Sequence, residues 1–158
     1  MRTIFLLLLT AFLQVPIFAQ INKNGIPFSK VFTKDDYNAS EQNWAICQDQ
    51  RGVMYFGNND AILEFDGVNW NKIPLPNGSI VRSIACSDEG IVYVGGVDEF
   101  GFLAPDINGK MNFHSLVNQI DSIEFKDALK KFSINKDVHK IYIVDGRVYF
   151  CTVSVIFK

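Results

Sequence analysis

Charge of neither sign predominates: 15 lysines and arginines stand against 17 aspartates and glutamates, a formal net charge of −2. No block of like charges occurs either, since KDALKK at 126–131 is short and mixed. A protein that grips nucleic acid by its phosphates shows a basic face, so that class is set aside. Histidine is found only twice and cysteine three times, with no CxxC and no histidine at a ligand spacing. No metal site and no cofactor is expected from such a set. Long hydrophobic runs are missing too. The longest, Ile4 to Leu13, is too short to span a bilayer comfortably, and Gln14 and Pro16 follow it.

What is present starts with that short run. Arg2, the apolar stretch and the small Ala19 before Gln20 have the layout of a secretory signal peptide, residues 1–19, cleaved after Ala19. An uncleaved anchor is the alternative, and the shortness of the run argues against it. An exported chain can pair two of Cys47, Cys86 and Cys151. Each lies in an apolar, strand-like stretch, so buried free thiols are expected instead.

The remaining 139 residues repeat themselves. RGVMYFGNND at 51–60 is echoed by EGIVYVGGVD at 89–98: Gly52 falls on Gly90, Tyr55 on Tyr93, Gly57 on Gly95 and Asp60 on Asp98, all at an offset of 38. HKIYIVDGRVYFCTVSVIFK at 139–158 sets Gly146 against Gly90 at an offset of 56, which leaves about eighteen inserted residues. Each of the first two copies parses into four short strands: WAICQD, VMYFG, AILEF and VNWNKI, then VRSIACS, IVYVGG, FGFLA and MNFHSL. Asp66-Gly67 marks a tight hairpin and Asp106 to Gly109 a looser turn. A period near 40 built from strands is the signature of propeller blades.

The expected fold is therefore all-β, an incomplete β-propeller. A lead-in occupies 20–39 and contains IPFSKVFT, a candidate ring-closing strand. Blade 1 spans 40–76 and blade 2 spans 77–116, both four-stranded and antiparallel. An insertion runs over 117–137 and most of a third blade over 138–158. Phe125, Leu129 and Phe132 in the insertion fit a short amphipathic helix or an extended loop equally well. On this reading Gly52 and Gly90 serve turns. Tyr55 and Tyr93 fill gaps between blades, and Gly57 and Gly95 end the second strands where the backbone bends. Asp60 and Asp98 accept amide hydrogen bonds at the next turn.

QNWAICQDQRGVMYFGNNDAILEFDGVNW and NGSIVRSIACSDEGIVYVGGVDEFGFL resemble the two-component regulator propeller repeats of Bacteroidetes-type exported sensor regions. Asp49, Gly52, Tyr55 and Gly57 match the Asp-x-x-Gly-x-x-aromatic-x-Gly pattern, and Asp88, Gly90, Tyr93 and Gly95 match it with one turn residue missing. Asp145, Gly146 and Tyr149 match loosely, with Cys151 in place of the glycine; Ala61 also departs from the pattern. The resemblance implies an exported, periplasmic ligand-sensing part of a signal-transduction receptor rather than an enzyme. Family members add further blades, a three-tyrosine domain, a transmembrane helix and a histidine kinase or DNA-binding output. Glycan fragments are ligands of several. Since a propeller ring needs at least four blades, the chain reads as the N-terminal fragment of a longer receptor, whose remaining blades would be its partners.

In a blade, the start of the innermost strand and the loop between strands two and three open at one end. That places Asn43, Trp44, Asn58, Asp60, Arg82, Asp98, Glu99 and Phe100 as candidate ligand-binding residues, with Asn59, Ser79, Val138 and His139 nearby. Aromatic rings stack on sugar faces and planar polar groups bind hydroxyls, so an oligosaccharide suits the set. Blander roles compete: Trp44 as a core wedge, Arg82 as the partner of Glu99, and Asn58 and Asn59 as turn residues. A glycosidase would need two carboxylates across a cleft, and Asp60, Asp98 and Glu99 are the only rim acids. A structural or protein-interaction propeller is the third reading. No nucleic acid, and no membrane beyond the signal peptide, enters any of them.

Overall fold

Apolar runs of four to six residues, broken by Asp, Asn and Gly, are too short for stable helices but suit antiparallel meanders. In the computed structural model, which describes residues 29–119 and 137–158, they form eleven strands. The first sheet holds β1 (Asn43–Gln48), β2 (Met54–Asn58), β3 (Ile62–Phe65) and β4 (Trp70–Ile73), in chain order. The second holds β5 (Val81–Cys86), β6 (Val92–Gly96), β7 (Phe100–Pro105) and β8 (Met111–Ser115), again in chain order. The third has three strands, β9 (Lys140–Val144), β10 (Arg147–Cys151) and β11 (Ile156–Phe157). All neighbouring strands are antiparallel, so the described chain is all-β apart from the four-residue helix α1 (Lys34–Tyr37) and a 3-10 turn at Val117–Gln119.

One turn is used three times. Asp49 Oδ1 accepts the Val53 and Arg51 N–H groups while Gly52 N–H donates to Asp49 O, and Gly52 takes a φ of 86°. Asp106 does the same for Asn108 and Lys110, with Gly109 at φ 80°. In the second sheet the residue in this place is Ser87, whose Oγ accepts the Ile91 N–H, and not Asp88. No turn residue is missing; the serine hydroxyl has replaced the carboxylate at the same offset of 38. The hairpin after β3 closes from Asp66, whose Oδ1 accepts the N–H groups of Val68 and Asn69, with Gly67 at φ 98°. β9 and β10 join through the two-residue turn Asp145-Gly146, both at positive φ.

The core lies between sheets. Tyr55, Ile62 and Ile73 of the first sheet meet Val81, Val92, Val94, Leu103 and Met111 of the second in one buried cluster. Phe100 meets Val138 and Phe150 in another, between the second and third sheets, with Tyr93 against it. Gly57 and Gly95 do not end their strands but lie inside β2 and β6. A Cβ on Gly57 would sit 2.9 Å from Val81 O, and one on Gly95 2.5 Å from Val138 Cγ1. Their glycine identity comes from close approach of the next sheet rather than from a bend.

The expectation of three free thiols fails. Cys47 and Cys86 form a disulfide between β1 and β5, with Cα atoms 6.0 Å apart, and only Cys151 is free. Their separation is 39, one more than the repeat. Side chains alternate faces along a strand, so that extra residue turns the two thiols toward each other across neighbouring sheets.

The chain divides after Val31, and residues 32–158 form one unit. Residues 29–33 carry no strand, and the rest of the candidate ring-closing strand, 26–28, lies outside the described residues, as does the signal-peptide segment. Phe32 instead packs edge-on against Phe65 and Trp70, at 5.0 and 5.3 Å between ring centres, and Tyr37 lies 5.3 Å from Trp70. This segment covers the outer part of the face that the first sheet turns away from the second. The corresponding free face of the third sheet leaves Tyr142, Val144 and Ile156 exposed. The proposed helix around Phe125 to Phe132 also lies outside the described residues.

Candidate functional site

β1 and β5 each carry a bulge at the same place. Asn43 pairs with Asn58 and Ala45 with Gly57, so Trp44 has no opposite number; Val81 pairs with Gly96 and Ser83 with Gly95, so neither has Arg82. A bulge re-aims the extra side chain. Here it brings two repeat-equivalent residues together: the Arg82 guanidinium lies 4.0 Å from the centre of the Trp44 ring. Trp44 remains 47% exposed. Its Nε1 donates to Asn59 Oδ1 at 2.7 Å, and Asn59 Nδ2 reaches Ser40 Oγ at 3.3 Å.

Arg82 pairs with an acid, but with Asp137 rather than Glu99. Its Nε lies 3.2 Å from Asp137 Oδ2, an ion pair without the alignment of a hydrogen bond. Asp137 itself forms a bridge with Val97, and Val138 N–H donates to Gly96 O. The starts of β1, β5 and β9 and the loops after β2 and β6 therefore share one end of the three sheets. Asp137 is the last residue of the insertion expected at 117–137. Its signal there was an acid just before the third inner strand, opposite the lone arginine of the second.

The other expected residues divide sharply. Asn43 is exposed and its Oδ1 accepts from Asn58. Asn58 is wholly buried: Nδ2 donates to Ser40 O at 2.7 Å and to Asn43 Oδ1 at 2.8 Å, and Oδ1 accepts the Asp60 N–H. It fixes the loop and offers nothing to solvent. Glu99 is buried, with Oε1 accepting from Ser115 Oγ and from Phe100 N–H at 3.2 Å. Phe100 is buried between Phe150 and Phe157, its ring stacked 4.9 Å from the latter. Asp98 is exposed in a left-handed conformation, φ 59°. Val138 is buried, and Ser83 Oγ donates to its carbonyl; His139 is exposed. Ser79 N–H donates to Asn77 Oδ1.

Asp60 belongs to a neighbouring recess of about 520 Å³, lined by Lys34, Asn38, Ser40, Glu41 and Lys72. Charges there are paired, with Lys34 Nζ 2.7 Å from Glu41 and Lys72 Nζ 3.7 Å from Asp60. A hydrogen bond and the charge of Lys34 hold Glu41 below the usual carboxylate range. Asn59 joins the two features, since it bonds Trp44 on one side and Ser40 on the other. The result is a half-exposed indole beside a polar recess whose cations each have an acid at hand. Among the described residues no cluster of ligating side chains could hold a metal ion, and no helix is long and apolar enough to cross a membrane.

Compared with known proteins, the chain matches no family model and no curated protein.

Proposed function

We propose that the three sheets are successive blades of a β-propeller, in the extracytoplasmic sensing region of a two-component type receptor, and that Trp44 and the adjoining recess of Ser40 and Asp60 recognise a neutral oligosaccharide. The blade reading is supported by recurrence: the same bulge, the same turn and the same glycine-to-next-sheet contact appear in the first two sheets at one offset. Export to the periplasm and membership of that receptor family are supported by the signal-peptide layout and by the resemblance of the repeat motif. The bare face of the third sheet, with Tyr142, Val144 and Ile156, is where further blades of a longer parent would pack.

The observation that carries the ligand class is the paired charge around an exposed ring. Arg82, Lys34 and Lys72 each lie within 4 Å of a carboxylate, so the surface is rich in donors and acceptors without a net field. Such a surface favours hydroxyls over phosphates or sulfates, and the indole supplies a flat apolar platform. Binding is favoured over hydrolysis because Glu99, one of the three candidate acids, is buried and occupied. Calorimetric titration of the protein with a panel of neutral oligosaccharides tests this. At least one should bind, and Trp44→Ala should weaken it about tenfold, roughly 1.4 kcal/mol. Binding that survives Trp44→Ala unchanged, or turnover of the sugars, would sink the proposal.

A further inference from the structure

We propose that the Cys47–Cys86 disulfide is the positioning element of the Trp44–Arg82 pair, a covalent spacer that keeps the two sides of the rim in contact. β1 and β5 belong to different sheets, so no ladder of backbone hydrogen bonds fixes how far one lies from the other. Between them are mainly aliphatic side chains, Val81, Val92, Val94 and Ile84, whose contacts have no direction, and the Gln50 amide, which donates to Asp88 O at the far end of the strands from the Trp44–Arg82 pair. Apart from the main chain at 74–80, the disulfide is the one covalent tie between the first two sheets among the described residues.

Its place in the strands gives it leverage. Trp44 lies three residues before Cys47 and Arg82 four before Cys86. At about 3.3 Å per residue the bond is roughly 10–13 Å from the pair, along two extended strands. A cysteine at the repeat position of Cys47 would fall at Ala85, on the face shared with Ser83, which bonds the third sheet. The shift to Cys86 sends the thiol to the first sheet instead.

Arg82 also has an alternative. Asp137, on the side of the third sheet, holds its Nε at 3.2 Å. With the spacer cut, the first sheet can withdraw while Arg82 stays with Asp137, and the indole loses its cation. The bridge therefore selects the arrangement in which Arg82 serves both neighbours. The rim reading gives this selection its consequence for ligands, but the pairing can be measured with no ligand present.

The test uses the full chain carrying Trp70→Phe, which leaves Trp44 as its sole tryptophan. Dithiothreitol reduces the bridge, passing two electrons and two protons to the cysteine sulfurs and closing to its own cyclic disulfide. Iodide quenching of Trp44 should rise about twofold on reduction and return on reoxidation, while the far-UV circular dichroism stays constant. In Arg82→Met the same reduction should leave quenching unchanged. A Cys47→Val, Cys86→Ala variant, which keeps the packing without the bond, should behave as the reduced protein does. The proposal is overturned if quenching ignores reduction, if Arg82→Met shows the same change, or if reduction and the packed variant both abolish the dichroism signal. In the last case the bridge holds the fold rather than the pair. Failure of every sugar to bind would count against the ligand proposal and leave the quenching result standing.

Discussion

At the scale of single residues, Asn58 and Asp49 show how much of this chain's polar chemistry goes into its turns. Asn58 is buried, and its side chain makes three hydrogen bonds, to Ser40, Asn43 and Asp60. Truncation to alanine would strand the partners, so Asn58→Ala should lower stability by about 1–3 kcal/mol, read from the urea midpoint. Asp49 is buried beside Arg51, whose Nη2 also donates to Tyr55. Burial raises the Asp49 carboxyl, but the Arg51 guanidinium and the N–H groups of Val53 and Arg51 outweigh it and hold the group below its ordinary value. A carboxylate depressed in the folded state adds stability above its unfolded value, and that stability is lost as pH falls through the folded one. Asp49→Asn should thus be less stable than the parent at pH 7, and the gap should close toward pH 3. Denaturant melts at the two pH values check it. In the sequence Asp49 reads as a turn former and Asn58 as a candidate ligand-binding residue with a turn role as the competing reading. That Asn58 is sealed off could not be seen, because its burial comes from Ser40 folding back over the loop eighteen residues upstream.

At the scale of strands and sheets, close approach is the governing constraint. Gly95→Ala would place a methyl 2.5 Å from both Ser83 Oγ and Val138 Cγ1. The second and third sheets would have to separate, at a cost of about 1–3 kcal/mol, seen as a lowered thermal midpoint. Gly67→Ala meets no atom within 4 Å, but its φ of 98° is hard on any side chain. It should cost about 1 kcal/mol through the backbone alone. The strands themselves were legible: all eight of the first two sheets fall within two residues of the runs cut out by Gly, Asp and Asn. What sequence periodicity does not carry is which face meets which neighbour. Glu99 and Phe100 lie beside a loop that opens at the correct end, yet both turn inward, Phe100 onto Phe150 and Phe157 of a strand pair more than forty residues away. The disulfide was hidden for the same reason. A spacing of 39 against a repeat of 38 has meaning only once β1 is known to lie beside β5.

At the scale of the whole described unit, the two outer faces are unlike. The first sheet has Phe32 and Tyr37 drawn over its aromatic outer strands, whereas the third presents Tyr142, Val144 and Ile156 to solvent. An uncovered apolar face with an edge strand invites association. The double substitution Tyr142→Lys, Ile156→Lys should therefore reduce self-association in sedimentation velocity while changing stability by no more than about 0.5 kcal/mol. The two contacts between successive sheets also share a polarity, since Gly57 receives Val81 from the second sheet and Gly95 receives Val138 from just before the third. Cys151 stands at the corresponding place in the third sheet, so a unit packed on that flank would meet a side chain where the two existing contacts meet bare backbone.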